Sequence, residues 1–321
     1  MNIPLKLVAL GLFSLLAVIV SPWLEISAAD SAEIQQLIIY ELRIPRVLFA
    51  FTAGSGLALC GMVFQAMFRN PLATPFTLGV ASGASLGAAL SVYIGLSFTI
   101  LGISAISFSA FIGALVAISV VYSISRFRFG FSGETLLLTG IAISFFFSSL
   151  ILFVQYLSNV ADSFQIIRWL MGSLTVVGYH ELMQLLPFVS VTAIVIIFLS
   201  RELNLLMAGD DIALSRGVSV KYVRYTLFFV TSLCVGAVVS LCGPIGFVGM
   251  MVPHICRLII GEDHRWLTPA TLLFGGGFLV VCDTLARLAI APAELPVGVV
   301  TTLLGGPFFL WLLMRYKSQH A

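Results

Sequence analysis

The chain has 321 residues, of which 60% are hydrophobic and only 9% are charged. Soluble domains carry about a quarter charged residues, so this composition excludes an ordinary soluble protein and predicts a polytopic membrane protein with one domain over residues 1–321. A net charge of +2, without a cluster of Lys and Arg, offers no track for nucleic acid. The five cysteines form no C-x-x-C pattern and lie in or beside apolar runs, where we expect small core residues rather than metal ligands or disulfides.

Ten apolar segments are predicted as transmembrane helices, since a helix crosses the hydrocarbon layer with about 20 mostly apolar residues. The first, Leu5–Val20, has an alternative: with Lys6 at its start and "ISAAD" beyond its end, it also fits a signal peptide. We expect a retained span. The other nine are Val47–Phe68, two spans within Asn70–Ser125 that turn near Gly95–Gly102, Thr135–Leu157, Leu182–Ser200, two within Tyr225–Ile260 on either side of Gly243-Pro244, Leu267–Ile290 and Val297–Met314.

The positions of Lys and Arg predict the orientation of these spans. With the N- and C-termini in the cytoplasm, all basic residues fall on the cytoplasmic side except Arg43, Arg46, Arg168 and Arg287. This distribution satisfies the positive-inside rule. The four outer arginines run against the trend and call for a separate explanation.

Small residues recur at helical spacing in two spans. Gly79, Gly83 and Gly87 predict one face of the third span that lets another helix approach closely. Gly54, Ala58 and Gly61 predict a similar contact for the second span.

A polar stripe marks the fifth span. Gly140, Ser144, Ser148 and Gln155 lie near one line at helical spacing. Inside a membrane such a stripe either lines a water-filled path or makes hydrogen bonds between helices. Both alternatives are open from the sequence.

Two short motifs that mark nucleotide binding or metal-dependent catalysis in other proteins are missing. There is no G-x-x-x-x-G-K-[ST] and no H-E-x-x-H, and we expect no catalytic residue, no metal and no ATP on this chain. Ionisable residues clearly at mid-membrane depth are also lacking, which argues against a transporter coupled to protons or sodium. Asp283, near the outer end of its span, has Arg287 four residues later, which predicts an intrahelical ion pair.

Three long stretches resemble one family of membrane proteins. They are "RIPRVLFAFTAGSGLALCGMVFQAMFRNPLATPFTLGVASGASLGA" (Arg43–Ala88), "GPIGFVGMMVPHICRLIIGEDHR" (Gly243–Arg265) and "ARLAIAPAELPVGVVTTLLGGPFFLWLL" (Ala286–Leu313). They are similar to hallmark regions of the permease subunits of bacterial ABC importers for iron chelates and vitamin B12. "RWLMGSL" lies between them in the expected order.

The resemblance implies an all-α fold of ten transmembrane helices, the type II ABC importer permease fold, in the bacterial cytoplasmic (inner) membrane. It implies a second permease copy or a paralogue alongside, and two ATP-binding cassette subunits that hold ATP and Mg on the cytoplasmic face. A periplasmic or lipid-anchored binding protein is expected to deliver the substrate. We expect an iron chelate, either a siderophore or haem, with vitamin B12 as the alternative. Outside the family, an ion-coupled secondary transporter or an assembly subunit are the other hypotheses.

A polar segment on the cytoplasmic side, within residues 201–224, predicts a short helix. Asp210 and Asp211 suit its first turn, Ile212–Arg216 is the helix candidate, and Gly217 suits a left-handed position past its end. The resemblance implies that this segment docks on the ATPase subunit. The alternative is a solvated connector. The expected coupling residues are Gly209, Asp210, Asp211, Ile212, Ala213, Leu214, Arg216 and Gly217.

Three of the four outer arginines have an explanation from the resemblance. It implies that Arg43, Arg46 and Arg287 pair with acidic residues on the binding protein. The alternatives are contacts with lipid headgroups or local pairs, Arg46 with Glu41 and Arg287 with Asp283.

Overall fold

The computed structural model describes residues 2–24, 32–100, 102–128, 133–291 and 293–318. These residues form fourteen α-helices: Ile3–Val20 (α1), Ala32–Leu37 (α2), Ile44–Phe68 (α3), Val80–Ile94 (α4), Ala105–Arg128 (α5), Gly133–Leu157 (α6), Val160–Leu170 (α7), His180–Phe198 (α8), Ser200–Ala208 (α9), Asp210–Ser215 (α10), Val220–Cys242 (α11), Val248–Ile260 (α12), His264–Leu288 (α13) and Val297–Ser318 (α14). A π-helical segment, Ile38–Arg43, joins α2 to α3. Two short antiparallel strands, Thr99–Ile100 (β1) and Ile103–Ser104 (β2), form the turn between α4 and α5.

Ten apolar helices occupy the ten segments predicted from the sequence, which confirms the polytopic all-α fold. Seven of them are long and apolar enough to cross a membrane, and Val80–Ile94, Val248–Ile260 and Val297–Leu312 are shorter. The predicted break at Gly243-Pro244 is present, because α11 ends at Cys242 and α12 begins at Val248. The "ISAAD" letters of the signal-peptide alternative lie outside the described residues.

Helix α3 lies at the centre of the fold. Every residue from Thr52 to Met67 is buried, as expected of a helix that is apolar all round. Helices α8, α11, α12 and α13 pack around it, and α1 packs on the outside of α13. The five cysteines are all free and buried within this core, as the sequence predicted.

Glycines bring the helix backbones of the core into direct contact. A Cβ on Gly61 would lie 1.8 Å from the carbonyl oxygen of Gly249 on α12, and one on Gly54 would lie 2.4 Å from that of Gly275 on α13. On α4, Gly83 and Gly87 meet the backbone of α5 in the same way. These contacts confirm both predicted close-packing faces.

Gly79 departs from the predicted face of the third span. It lies before the first residue of α4, with φ of 78°. Only glycine adopts this left-handed backbone at no steric cost, so Gly79 turns the chain into α4 and does not belong to its packing face.

Candidate functional site

The segment predicted to contact an ATPase folds as two short helices, α9 and α10, joined by Gly209. Helix α10 begins at Asp210 rather than at Ile212 and ends at Ser215, so Asp210 and Asp211 form its first turn, where carboxylates interact favourably with the helix dipole. Gly217 has φ of 79°, which confirms the left-handed position past the helix end. Six residues are too few for a helix to persist alone in water, so tertiary contacts hold α10 in place.

Asp210 supplies those contacts. Its carboxylate pairs with Arg69, the residue that ends α3, and with Arg224 on α11 at 2.8 Å. Arg224 is almost completely buried. The sequence suggested a helix-capping role for Asp210 but gave no sign of these partners, because Arg69 is separated from it by 141 positions. The N-terminus of α10 is therefore attached to two core helices at once.

Helix α10 also exposes apolar side chains. Ala213 faces the core and is 0% exposed, whereas Ile212 and Leu214 are 47% and 58% exposed. Asp211 and Arg216 are also exposed. The helix is thus fixed by ion pairs at its first residue and leaves the side chains of Ile212 and Leu214 exposed.

At the other end of α3 and α13 lies a buried ion cluster. Arg46 donates to Asp283 through Nε, at 3.1 Å from each carboxylate oxygen, and through Nη2 at 2.9 Å. Its Nη1 donates to Glu294 at 2.8 Å. Arg287 Nε donates to Asp283 at 3.2 Å and its Nη2 to the Ser21 hydroxyl at 3.0 Å. Asp283 is 1% and Arg287 3% exposed, so these two groups pair away from water, and Asp283 is shared with Arg46.

This cluster settles the local-pair alternatives for the outer arginines. The pair between Arg287 and Asp283 is confirmed. The pair between Arg46 and Glu41 is wrong, because the Arg46 side chain turns towards α13 and binds Asp283 and Glu294 instead. Arg43 is half-buried and donates to the Pro22 carbonyl oxygen at 3.0 Å. Partner docking by these three arginines stays a prediction, and Arg287 is the one that the fold buries.

The polar stripe of α6 borders a cavity of about 470 Å³. Ser144, Ser148 and Gln155 line it together with Ser82 and Ser85 of α4. The two α4 serines were missed from the sequence, where they were hidden among the glycines of a packing face. The described lining contains hydroxyl, amide and apolar groups but no charged side chain.

Two residues of the stripe also make contacts between chain segments. The Ser144 hydroxyl donates to the Phe76 carbonyl oxygen at 3.2 Å and to the Gly140 carbonyl oxygen at 2.9 Å. Gly140 itself does not line the cavity: a Cβ there would lie 2.4 Å from the Thr77 carbonyl oxygen, so it is a packing residue. The stripe therefore makes the hydrogen bonds that one alternative predicted, and the water-filled path of the other stays a prediction.

We predict that Asp283→Asn destabilises the protein strongly. The change removes the charge of the buried carboxylate that Arg46 and Arg287 share, and removal of one member of a buried ion pair costs about 3–5 kcal/mol. Glu294→Gln is the matched control, because it removes the other carboxylate on Arg46 at a site that is 41% exposed, where a pair contributes about 0–1 kcal/mol. Thermal unfolding in detergent measures both. Equal melting temperatures for the two variants would contradict the structural role of Asp283.

Comparison with known proteins assigns the chain to a family. The FecCD transport family model matches residues 6–315. The hemin transport system permease protein HmuU of Yersinia pestis is 40% identical over 281 residues, covering 87% of this chain and 84% of that protein. The cobalamin import system permease protein BtuC of Halobacterium salinarum is 39% identical over 303 residues, covering 91% and 79%. The molybdate import system permease protein MolB of Haemophilus influenzae is 35% identical over 300 residues, covering 92% and 86%.

A solved structure is similar over the whole fold. It is a chain assigned to a metal-chelate type ABC transporter in an inward-facing conformation, and it superposes with a TM-score of 0.88. The two sequences are 30% identical, and the match covers 97% of this chain and 99% of the solved one.

Proposed function

The chain belongs to the FecCD transport family and is the permease subunit of an ABC importer, and we propose that it carries an iron chelate, either a siderophore or haem, across the bacterial cytoplasmic membrane. The similarity to a hemin permease and to a metal-chelate type transporter supports this substrate class. Vitamin B12 is the second candidate, supported by the similarity to cobalamin permeases.

Uptake by the complete importer tests the substrate. We expect cells that carry it to accumulate iron from a ferric siderophore or from haem, and an excess of unlabelled chelate to compete. Labelled cobalamin measured in the same cells is the comparison. Uptake of cobalamin without uptake of iron chelate would replace the first candidate by the second.

The observation that supports a transport path is the hydroxyl-lined cavity between α4 and α6. Its lining includes the exposed side chains of Ser148 and Leu152, so the cavity opens onto the face of α6 where Tyr156 is 86% exposed. Apolar side chains exposed on this face must be in contact with protein or lipid rather than with water. We infer that a second permease copy or a paralogue covers it, so that the cavity becomes part of a path between two subunits. An uncharged lining suits passage, because a path must bind its substrate weakly enough to release it.

We predict that Ser148→Cys reacts with a polar thiol reagent in at least one nucleotide state of the complex, because the path must admit water when it opens. Ser119→Cys is a control, since Ser119 is an exposed residue of α5 that does not line this cavity. Labelling rates in membranes with and without ATP give the measurement. A Ser148→Cys variant that stays unreactive in every state would place the path elsewhere.

The observation that supports coupling is that Ile212 and Leu214 are exposed on a short helix whose first residue, Asp210, is held by ion pairs to Arg69 and Arg224. We propose that Ile212 and Leu214 insert into a cleft of an ATP-binding cassette subunit, which holds ATP and Mg while this chain holds neither. Closure of the ATPase dimer then moves α10 as a rigid element. The ion pairs of Asp210 pass that movement to α3 and α11.

We predict that Leu214→Asp uncouples uptake from ATP hydrolysis, because a charge in the apolar contact opposes docking of α10. Leu214→Met is the control, since it keeps the contact apolar and of similar volume. Uptake and ATP hydrolysis are measured on the same purified complex in vesicles. Full uptake by the Leu214→Asp variant would show that α10 is a plain connector.

For the outer face we propose that Arg43 and Arg46 pair with acidic groups of a periplasmic or lipid-anchored binding protein. Exposed pairs contribute only about 0–1 kcal/mol each, but opposite charges set orientation and raise the association rate. Arg43 is the cleaner residue to test, because a carboxylate at position 46 would face the buried Asp283 directly. Arg287 would have to leave the ion cluster to take part.

We predict that Arg43→Glu weakens binding of the binding protein and reduces the salt dependence of that binding. Arg126→Glu is the control for net charge, because Arg126 lies on the exposed end of α5, on the predicted cytoplasmic side, and contacts Tyr122. Affinity across a salt series, measured on the reconstituted transporter, distinguishes the two. If the affinity for the binding protein depends neither on salt nor on the Arg43→Glu change, these arginines contact lipid headgroups instead.

A further inference from the structure

Asn204 of α9 closes the N-terminus of α13, sixty positions away in the chain. Its side-chain oxygen accepts from the backbone N–H of His264 at 2.9 Å and lies 2.7 Å from His264 Nδ1. Its amide nitrogen donates to Asp263 at 2.8 Å. Asp263 also accepts from the backbone N–H of Arg265 at 3.0 Å. An α9 side chain thus supplies one of the caps that the first turn of α13 needs.

The electrostatics of this junction keep it intact at neutral pH. The backbone N–H of Arg265 and the Asn204 amide both donate to Asp263 and lower the pKa of its carboxyl. Asp263 is therefore a charged acceptor, and hydrogen bonds to charged groups are stronger than neutral ones. His264 is buried, so the junction is shielded from water on one side.

Asn204 sits on the segment that leads directly into the coupling helix. Helix α9 ends at Ala208 and continues through Gly209 into α10. Leu203 and Leu206 are buried, which makes α9 a packed element rather than a loose linker. A displacement of α10 therefore acts on α9, and through Asn204 on the end of α13.

Helix α13 cannot move alone, because it is packed backbone to backbone against α3. A Cβ on Gly54 would overlap the Gly275 carbonyl, and the Ser55 hydroxyl donates to the Leu272 carbonyl oxygen at 2.8 Å. At one end both helices are tied to the coupling segment, α3 through Arg69 with Asp210 and α13 through Asn204. At the other end Arg46 and Asp283 join them to each other.

We propose that Asn204 is a positioning residue that passes the movement of the coupling helix to the α3–α13 pair, and through this pair to the ion cluster on the outer face. A 25-residue helix such as α13 spans about 37 Å, enough to link the two faces of the membrane. The inference rests on the proposed function, because it takes an ATPase at one end and a binding protein at the other. Its specific content is that one side-chain amide joins the coupling segment to α13.

The test is Asn204→Asp in the complete complex reconstituted in vesicles. A carboxylate at position 204 would face that of Asp263 and would lose the donated hydrogen bond, so the junction opens. We expect basal ATP hydrolysis to stay within about twofold of wild type. Stimulation of hydrolysis by the purified binding protein should fall at least about fivefold, the lower end of typical coupling between sites.

Two further variants separate coupling from mere stability. The exchange Asn204→Asp with Asp263→Asn restores one donor and one charged acceptor across the junction, and we expect it to recover stimulation. Asn159→Leu is the matched control: Asn159 caps α7 with the same bonds, accepting from the Asp162 N–H at 2.9 Å and donating to its carboxylate at 2.8 Å, but within one helix. It should leave stimulation unchanged.

The outcomes are distinct. Loss of stimulation in Asn204→Asp, recovery in the exchange variant and no loss in Asn159→Leu support the inference. Normal stimulation in Asn204→Asp overturns it. Basal and stimulated hydrolysis that fall together, in proportion to a lower melting temperature and without recovery in the exchange variant, reduce Asn204 to a structural cap and also overturn it. Failure of the proposed function has another signature: the wild-type complex itself would show no stimulation by the binding protein.

Discussion

The contact between α3 and α13 is the constraint on which the rest of the structure depends. Two long helices can touch backbone to backbone only where side chains are absent, and Gly54 on α3 with Gly275 on α13 provide that absence. In lipid the hydrophobic effect contributes little to the association of apolar helices. Close van der Waals packing therefore stabilises the contact between these two helices. The pair forms the core against which α1, α8, α11 and α12 pack.

The ion pairs that α3 and α13 make lie at the ends of these two helices. One end carries Arg69 with Asp210 and the Asn204 junction, and the other carries Arg46 with Asp283. Each group of polar contacts is made between elements distant in sequence. Charges that would be costly inside the membrane instead join the helix ends to each other and to the segment formed by α9 and α10.

The cavity lined by hydroxyl groups lies away from this pair, between α4 and α6. Helix α4 is shorter than a full span and is preceded by a turn at Gly79, so irregular backbone lies beside a cavity rather than against lipid, as the hydrocarbon requires. Hydroxyl groups on both helices face the same space. The subunit therefore separates a closely packed part, formed by α3 and α13, from a wall with hydroxyl groups and no charge in its described lining.

Most of the fold followed from the sequence alone. Ten apolar segments, the break at Gly243-Pro244 and the glycine faces of the second and third spans are local patterns, and hydrophobic length and helical spacing are enough to read them. The long hallmark stretches gave the family, and the start of the short helix α10 was predicted to within two residues. The pair between Asp283 and Arg287 was predictable because four positions along a helix are one turn.

Only the tertiary structure decided which distant side chains meet. Arg46 turns to Asp283 rather than to the nearby Glu41, and Asp210 meets Arg69, because helix packing brings together residues more than a hundred positions apart. Ser82 and Ser85 line the same cavity as the α6 stripe for the same reason. Gly140 does not line the cavity, because the turn before α4 packs against Gly140. Asn204 had no local signal at all. A single sequence records spacing along the chain, but partners across a bundle depend on how helices cross, and that is fixed by the packing of the whole.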